Sequence, residues 1–246
     1  AQVLAGFLSL KKENILVAST GIIGKSLPVN KIKNGILKLV KKLSKQGIHT
    51  AEKAIMTTDT FAKKFSVKFN IGAQVVSICA IAKGAGMIAP DMATLLCFIF
   101  TDANITKGAL NQALKAAVGS SFNCITVDGC MSTNDSVMLL ANGASANSLI
   151  SGGKNLALFT KALSLASLEL AKMIVRDAEG ASKFIQIKVK AARNYNAAKA
   201  VALSIANSNL FKTAVYGENP NFGRIAASVG ASGVRVKEKD RCCGVA

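Results

Sequence analysis

Hydrophobic and polar positions recur with a readable period over most of the chain, and the period changes from segment to segment. Residues 14–18 (NILVA) are a short apolar run that predicts a buried strand. After Pro28, Asn30 stands as a helix cap, and Ile32, Ile36, Leu39, Val40 and Leu43 return at helical spacing with lysines on the other face. That pattern predicts an amphipathic surface helix with Gly47 as its stop. Residues 67–70 and 74–82 read as strands around a turn at Ile71-Gly72, and 94–100 as a third strand. A helix over 107–118, a strand over 122–127 and another over 136–141 follow, and then a small-residue stretch, 142–155, reads as a surface loop. Residues 156–178 predict a long helix with Leu163, Ala166, Leu170, Met173 and Ile174 on one face. Ile185, Ile187 and Val189 alternate with Gln186, Lys188 and Lys190, the pattern of a half-exposed strand. Helices are expected over 196–207 and from 221 to 229. Strands and helices in this irregular order predict an α+β layered domain rather than a strict βαβ winding.

Composition narrows the function classes. Of 246 residues, 50% are hydrophobic, enough for the core of one large domain or two smaller ones, which excludes disorder over most of the length. The 31 basic and 13 acidic residues leave a formal charge of +18. The excess is spread out: residues 1–93 carry 14 lysines and 4 acids, and 94–246 carry 17 bases and 9 acids. A nucleic-acid footprint is a local stripe with aromatic partners, and with no Trp and two Tyr no nucleic-acid partner is expected. The apolar stretches 71–82 and 94–100 fall short of the roughly 20 residues that cross a bilayer, so no membrane span is expected. The opening AQVLAGFLSLKK has no basic region ahead of its apolar run and starts with Ala, a poor secretion signal that reads as an internal position of a longer gene product. Six cysteines and a single histidine, His49, offer no zinc-binding spacing, so a reducing compartment and no structural metal are expected.

Two stretches invite chemistry. Residues 19–26 (STGIIGKS) nearly spell a phosphate-binding loop, but Ser19 stands where its first glycine is required, and nucleotide hydrolysis is not the reading adopted. Residues 83–94 (KGAGMIAPDMAT) place a glycine-rich stretch and a proline ahead of Thr94, where a strand begins. There a hydroxyl could face its own preceding carbonyl, although a threonine opening a strand is by itself an ordinary strand former.

VASTGIIGKSLP (17–28), AIMTTDT (54–60), KGAGMIAPDMATLL (83–96), RDAEGASKF (176–184) and GENPNFGRIAASVG (217–230) stand in an order and spacing that resemble the ornithine acetyltransferase family, also called glutamate N-acetyltransferase. The resemblance covers essentially the whole chain. It implies a self-processing acetyltransferase of arginine biosynthesis with an αββα-type layered fold. The precursor would cut itself at Ala93-Thr94 into a light piece, 1–93, and a heavy piece, 94–246, which stay associated as a heterotetramer of two light and two heavy pieces. Thr94 would be the catalytic nucleophile, its freed α-amine activating its own hydroxyl. Thr20, through its hydroxyl, and Gly21, through its backbone N–H, would stabilise the oxyanion. Thr57, Lys83 and Glu179 would bind substrate alongside Thr94, with Lys83 suited to a carboxylate and Glu179 to the ornithine ammonium.

The family's substrates are N-acetylornithine and glutamate, with no tightly bound cofactor, and some members also take acetyl from acetyl-CoA. The implied compartment is the cytoplasm, or a mitochondrial or plastid matrix in a eukaryote. Asp128, Asn134 and Asp135 in VDGCMSTNDS match a family stretch and also read simply as a polar turn between strands. The segment with Asn219, Phe222 and Arg224 reads as structural. Family members are longer at both ends, and the terminal RCCGVA does not resemble their C-terminal portion. Two alternatives stand beside the transferase reading: a self-processing β-aminopeptidase, which a serine at the cleavage position would favour, and a truncated chain that transfers nothing.

Overall fold

Alternation of apolar and polar residues in 63–83 builds the hairpin at the centre of the molecule. In a computed structural model that describes residues 1–89 and 95–236, strand β1 (Lys63–Ile71) pairs antiparallel with β2 (Gln74–Lys83). Gly72 turns the chain at φ 61°, a conformation that glycine adopts without strain. Strand β3 (Leu96–Thr101) adds antiparallel to β2, and β4 (Ser136–Ala141) adds parallel to β3, giving the sheet order β1-β2-β3-β4.

The register sends Phe65, Val67 and Phe69 of β1, Val76, Ile78, Ala80 and Ala82 of β2, and Cys97 and Ile99 of β3 to one face. Helix α5 (Gly153–Arg176) lies on that face through Leu156, Phe159, Leu163, Ala166, Leu170 and Ile174, and α4 (Lys107–Gly119) packs beside it through Ala109, Ala113 and Ala117. Alanines four residues apart let the two helices approach closely, while Phe159 meets Phe69 edge-to-face at 6.1 Å. The α+β class therefore stands, with one helix layer and one sheet layer among the described residues.

Among the described residues there are six further α-helices. These are α1 (Gln2–Leu8), α2 (Val29–Val40) and α3 (Ile48–Ala54) before the sheet, and α6 (Tyr195–Ala206), α7 (Asn209–Tyr216) and α8 (Phe222–Gly230) after α5. Asn194, Ser208 and Asn221 cap the last three by accepting a backbone N–H in the first turn. Arg224 binds the Leu210 carbonyl at 2.6 Å and the Thr213 hydroxyl at 2.9 Å, so GENPNFGR ties α8 to α7. Among the described residues no helix is long and apolar enough to cross a membrane.

Several local expectations are corrected. Residues 14–18 form no strand: Leu16 and Val17 are exposed, and among the described residues no strand pairs with them. Residues 122–127 begin with a short 3-10 turn, Phe122–Cys124, because Phe122 closes the end of α4 against the core. Residues 185–189 are irregular and meet no partner strand among the described residues. The helix after Pro28 stops at Val40, before Gly47. The 142–155 stretch is a loop as expected as far as Gly152, with residues 153–155 already in α5; Ile150 bridges Ile105 and the buried Asn147 exchanges hydrogen bonds with the Asn104 backbone.

Candidate active site

The last residue of β2, Lys83, faces Leu96 across the ladder, and Leu96 in turn faces Ser136, so three strands present the same end at one place. Lys83 is 1% exposed, and its Nζ donates to the Thr20 hydroxyl at 3.1 Å. Burial pushes the Lys83 ammonium below the usual lysine range, against the opposing pull of Asp59 and Asp135. A threonine hydroxyl has one hydrogen and two lone pairs, so Thr20 accepts from Lys83 and keeps its own hydrogen for another acceptor.

The loop 128–135 fastens the pieces around this contact. Asp128 accepts the N–H groups of Met87 (2.6 Å) and Ile88 (3.0 Å), Asn134 donates to the Ser19 carbonyl, and Asp135 accepts the Leu95 N–H at 2.8 Å. Each of these three residues thus holds a different stretch: KGAGMI, the STG turn and the start of β3. Among the described residues the second, buried oxygen of Asp135 has no hydrogen-bond partner, and burial raises the carboxyl above the usual range despite the Leu95 N–H, Lys83 and Ser132.

A second cluster lies behind Lys83. Lys63, fully buried, bridges Asp59 at 2.5 Å and Asp177 at 2.6 Å. Asp59 also accepts from the Gly84 N–H at 2.7 Å and the Thr57 N–H at 3.1 Å, and Asp177 accepts from both the backbone and hydroxyl of Thr60. For Asp59, burial pushes the carboxyl up, but the Gly84 N–H, Lys63 and the Thr57 N–H outweigh it and hold it below the usual range. Asp177 is held low in the same way by Lys63 and Thr60.

These two shifts fix the sign of the acid response. A carboxylate held below its unfolded value of about 3.9 contributes stability in full above that value, and the contribution is lost as pH falls through the lower folded-state value. Asp135 has the opposite sign and is relieved of a cost when protonated. Urea midpoints measured down a pH series should therefore hold as pH approaches about 4 and drop below it, and an Asp177→Asn variant should lose part of that drop.

Glu179 follows α5 and returns to the glycine-rich stretch, where its N–H donates to the Ala85 carbonyl at 3.0 Å. A Cβ on Gly86 would stand 2.8 Å from the Glu179 carboxyl carbon, so this glycine is what lets the carboxylate rest on the backbone. Next to it is a cavity of about 370 Å³ lined by Thr58, Thr60, Arg176, Glu179 and Gly180.

The sequence-predicted residues fall as follows. Thr20 and Lys83 are in contact. Gly21 is beside them and exposed, and an added Cβ would make only ordinary contact with Leu27 at 3.6 Å, so packing supplies no reason for glycine there. Thr57 is exposed and joined to the cluster through Asp59, and Glu179 lies on Gly86. Ala93 and Thr94 lie outside the described residues; Leu95, next in the chain, is 1% exposed.

The sequence profile of the ArgJ family matches residues 1–243. The chain belongs to the ArgJ family. It is 50% identical over 237 residues to arginine biosynthesis bifunctional protein ArgJ 1 of Clostridium acetobutylicum, covering 96% of this chain and 58% of that protein. It is 48% identical over 240 residues to the ArgJ of Chlorobium chlorochromatii, covering 98% and 56%. With the mitochondrial ArgJ of Candida tropicalis it shares 48% over 231 residues, covering 91% and 57%. The chain thus spans under three fifths of the length of these relatives. The crystal structure of ArgJ from Bacillus halodurans matches with a TM-score of 0.56 at 46% identity, over 57% of this chain and 67% of that one.

Within this ArgJ chain, sequence reasoning missed Asp59, Lys63 and Asp177 as a unit and took Asp128, Asn134 and Asp135 for a turn. Asp59 lies in AIMTTDT and Asp177 in RDAEG, but nothing in either motif says that one lysine, 114 positions before Asp177, joins them.

Proposed function

We propose that this chain carries the catalytic core of an acetyltransferase that moves acetyl from N-acetyl-L-ornithine to L-glutamate in arginine biosynthesis. The observation that carries the reading is the Lys83–Thr20 hydrogen bond, which joins two motifs 63 positions apart at the end of the sheet where β3 starts, two residues past Thr94 in the chain. In processing, the Thr94 hydroxyl attacks the Ala93 carbonyl carbon, the peptide C–N bond breaks, and water hydrolyses the resulting ester. Ala93 ends as a carboxylate and Thr94 as a free amine.

In transfer, the Thr94 oxygen attacks the acetyl carbonyl while its α-amine takes the proton. The oxyanion receives the Thr20 O–H and the Gly21 N–H. Collapse breaks the amide C–N bond, and ornithine leaves with the proton. The glutamate amine then attacks the acetyl ester, giving N-acetylglutamate and restoring the Thr94 hydroxyl. Lys83 polarises the Thr20 hydroxyl with one N–H and keeps two for a substrate carboxylate, while Thr57 and Glu179 complete the binding of substrate. Acetyl-CoA is the second donor we propose, to be tested by acetyl-enzyme formation from acetyl-CoA alone. Two light pieces, 1–93, and two heavy pieces, 94–246, form the proposed assembly, in a cytoplasmic or organelle-matrix setting.

Intact mass of the denatured protein, before and after N-acetylornithine, tests this. Two pieces meeting at Ala93-Thr94, the heavy one gaining a single acetyl group, are expected. An uncut chain, or a heavy piece that takes up no acetyl, would sink the reading. Acetate released with no glutamate present would favour a hydrolase instead.

Gly86→Ala tests the place of Glu179. The side chain met by the new methyl group is the flexible end of a glutamate, so the thermal midpoint should barely move. The carboxylate must give way to the new methyl group, and kcat/KM for N-acetylornithine should fall about tenfold. Wild-type kinetics in this variant would remove Glu179 from the binding site.

A further inference from the structure

We infer that the buried Asp59–Lys63–Asp177 triad is a positioning device that holds Thr57, Lys83 and Glu179 in one fixed arrangement, an inference that rests on the acetyltransferase reading of those three residues. The bonds close into a ring. Thr57 donates its N–H to Asp59, Asp59 binds Lys63, and Lys63 binds Asp177. Two residues after Asp177, Glu179 donates its N–H to Ala85, and Gly84 returns to Asp59 with its own N–H. Each of the three binding residues is therefore within two positions of a ring bond.

The chemistry of Lys63 argues against a purely stabilising role. It opens β1 on the same face as Phe65, Val67 and Phe69, where an apolar side chain would fit the pattern. A buried ion pair loses solvation that its attraction does little more than offset, and a well-packed apolar substitute is often as stable. What an apolar residue cannot supply is direction. The ammonium fixes both carboxylates, and the lone pairs left on them set where the backbones of Thr57, Gly84 and Thr60 lie. Lys63 touches no reacting atom and acts through its neighbours.

Two variants test this. Lys63→Met combined with Asp177→Asn removes one positive and one negative charge together and cuts the ring between Asp59 and Asp177. Thr60→Val removes only the hydroxyl that donates to Asp177 and leaves the Thr60 N–H bond to the same carboxylate in place, so the fold is expected to be kept. The KM for N-acetylornithine should rise about tenfold in the first and about threefold in the second, with kcat per acetylatable site changed less than twofold. A merely structural role would lower the thermal midpoint and the fraction of acetylatable protein but leave KM alone.

Amide hydrogen exchange reads the ring without activity. Segments 54–60, 83–88 and 177–181 should all exchange faster in the paired variant, together. Wild-type KM in Thr60→Val, or faster exchange in only one of the three segments, overturns the inference. If the unmodified protein itself takes up no acetyl group, the acetyltransferase reading falls, and the exchange pattern alone then judges the ring.

Discussion

Thr94→Ala is expected to remain a single uncut chain, to take up no acetyl group from N-acetylornithine, and to lose activity by a factor approaching the roughly 10⁶ seen when a hydrolase loses its nucleophile. In the proposed mechanism both steps use one atom. The hydroxyl proposed to attack the Ala93 carbonyl is also the one proposed to carry the acetyl group, so its removal would stop processing and transfer together. The freed α-amine is lost as well, because without the cut residue 94 stays in a peptide bond and has no amine with which to take a proton. Thr94→Ser keeps the oxygen and discards a methyl group, and it should still cut and still carry acetyl. Intact mass before and after donor decides both variants. A cleaved Thr94→Ala would show that some other group breaks the bond.

Thr20→Val is expected to lower kcat by about 10²- to 10³-fold with little change in KM. Valine matches threonine in shape and removes both functions of the hydroxyl. On the proposed mechanism the oxyanion loses a donor; in the structure Lys83, buried at the end of β2, loses the acceptor 3.1 Å away. Leaving a buried donor short of a partner costs about 1–3 kcal/mol, visible as a lower thermal midpoint. Thr20→Ser should recover both activity and midpoint. Should Thr20→Val turn over at the wild-type rate, the oxyanion role would pass to other donors.

The sequence was most legible where a local period coincides with a tertiary partner. The β1–β2 hairpin and α5 read correctly because alternation in 63–83 and the 3.6-residue period of Leu163, Ala166, Leu170 and Ile174 describe the two surfaces that meet in the core. Residues 14–18 and 185–189 carry equally good strand patterns and form no strand, because a strand needs an edge to pair with and a period cannot reveal whether one is free. The site shows the same division. Thr20, Gly21, Lys83 and Glu179 were visible as members of motifs. Asp59, Lys63, Asp135 and Asp177 act through long-range bonds: Lys63 reaches 114 positions to Asp177, and Asp135 reaches 40 back to Leu95. Nothing in the local sequence distinguishes such residues from surface charges. Lys63 alone left a hint, as a charge standing in line with the apolar face of β1.

The antiparallel pairing of β2 with β3 has a consequence for the integrity of the protein. Residues 78–83 are hydrogen-bonded to 96–101 in an unbroken ladder, and α5 lies across the hairpin that precedes them. A backbone break between Lys83 and Leu96 would fall between adjacent strands of one sheet, leaving two strands on each side of it. Severed there, the polypeptide would become two interdependent halves joined as a split protein is joined, by main-chain complementarity rather than by a detachable interface. Neither half would own a complete core, and synthesis of both from one message would ensure that each finds its counterpart before the bond between them is gone.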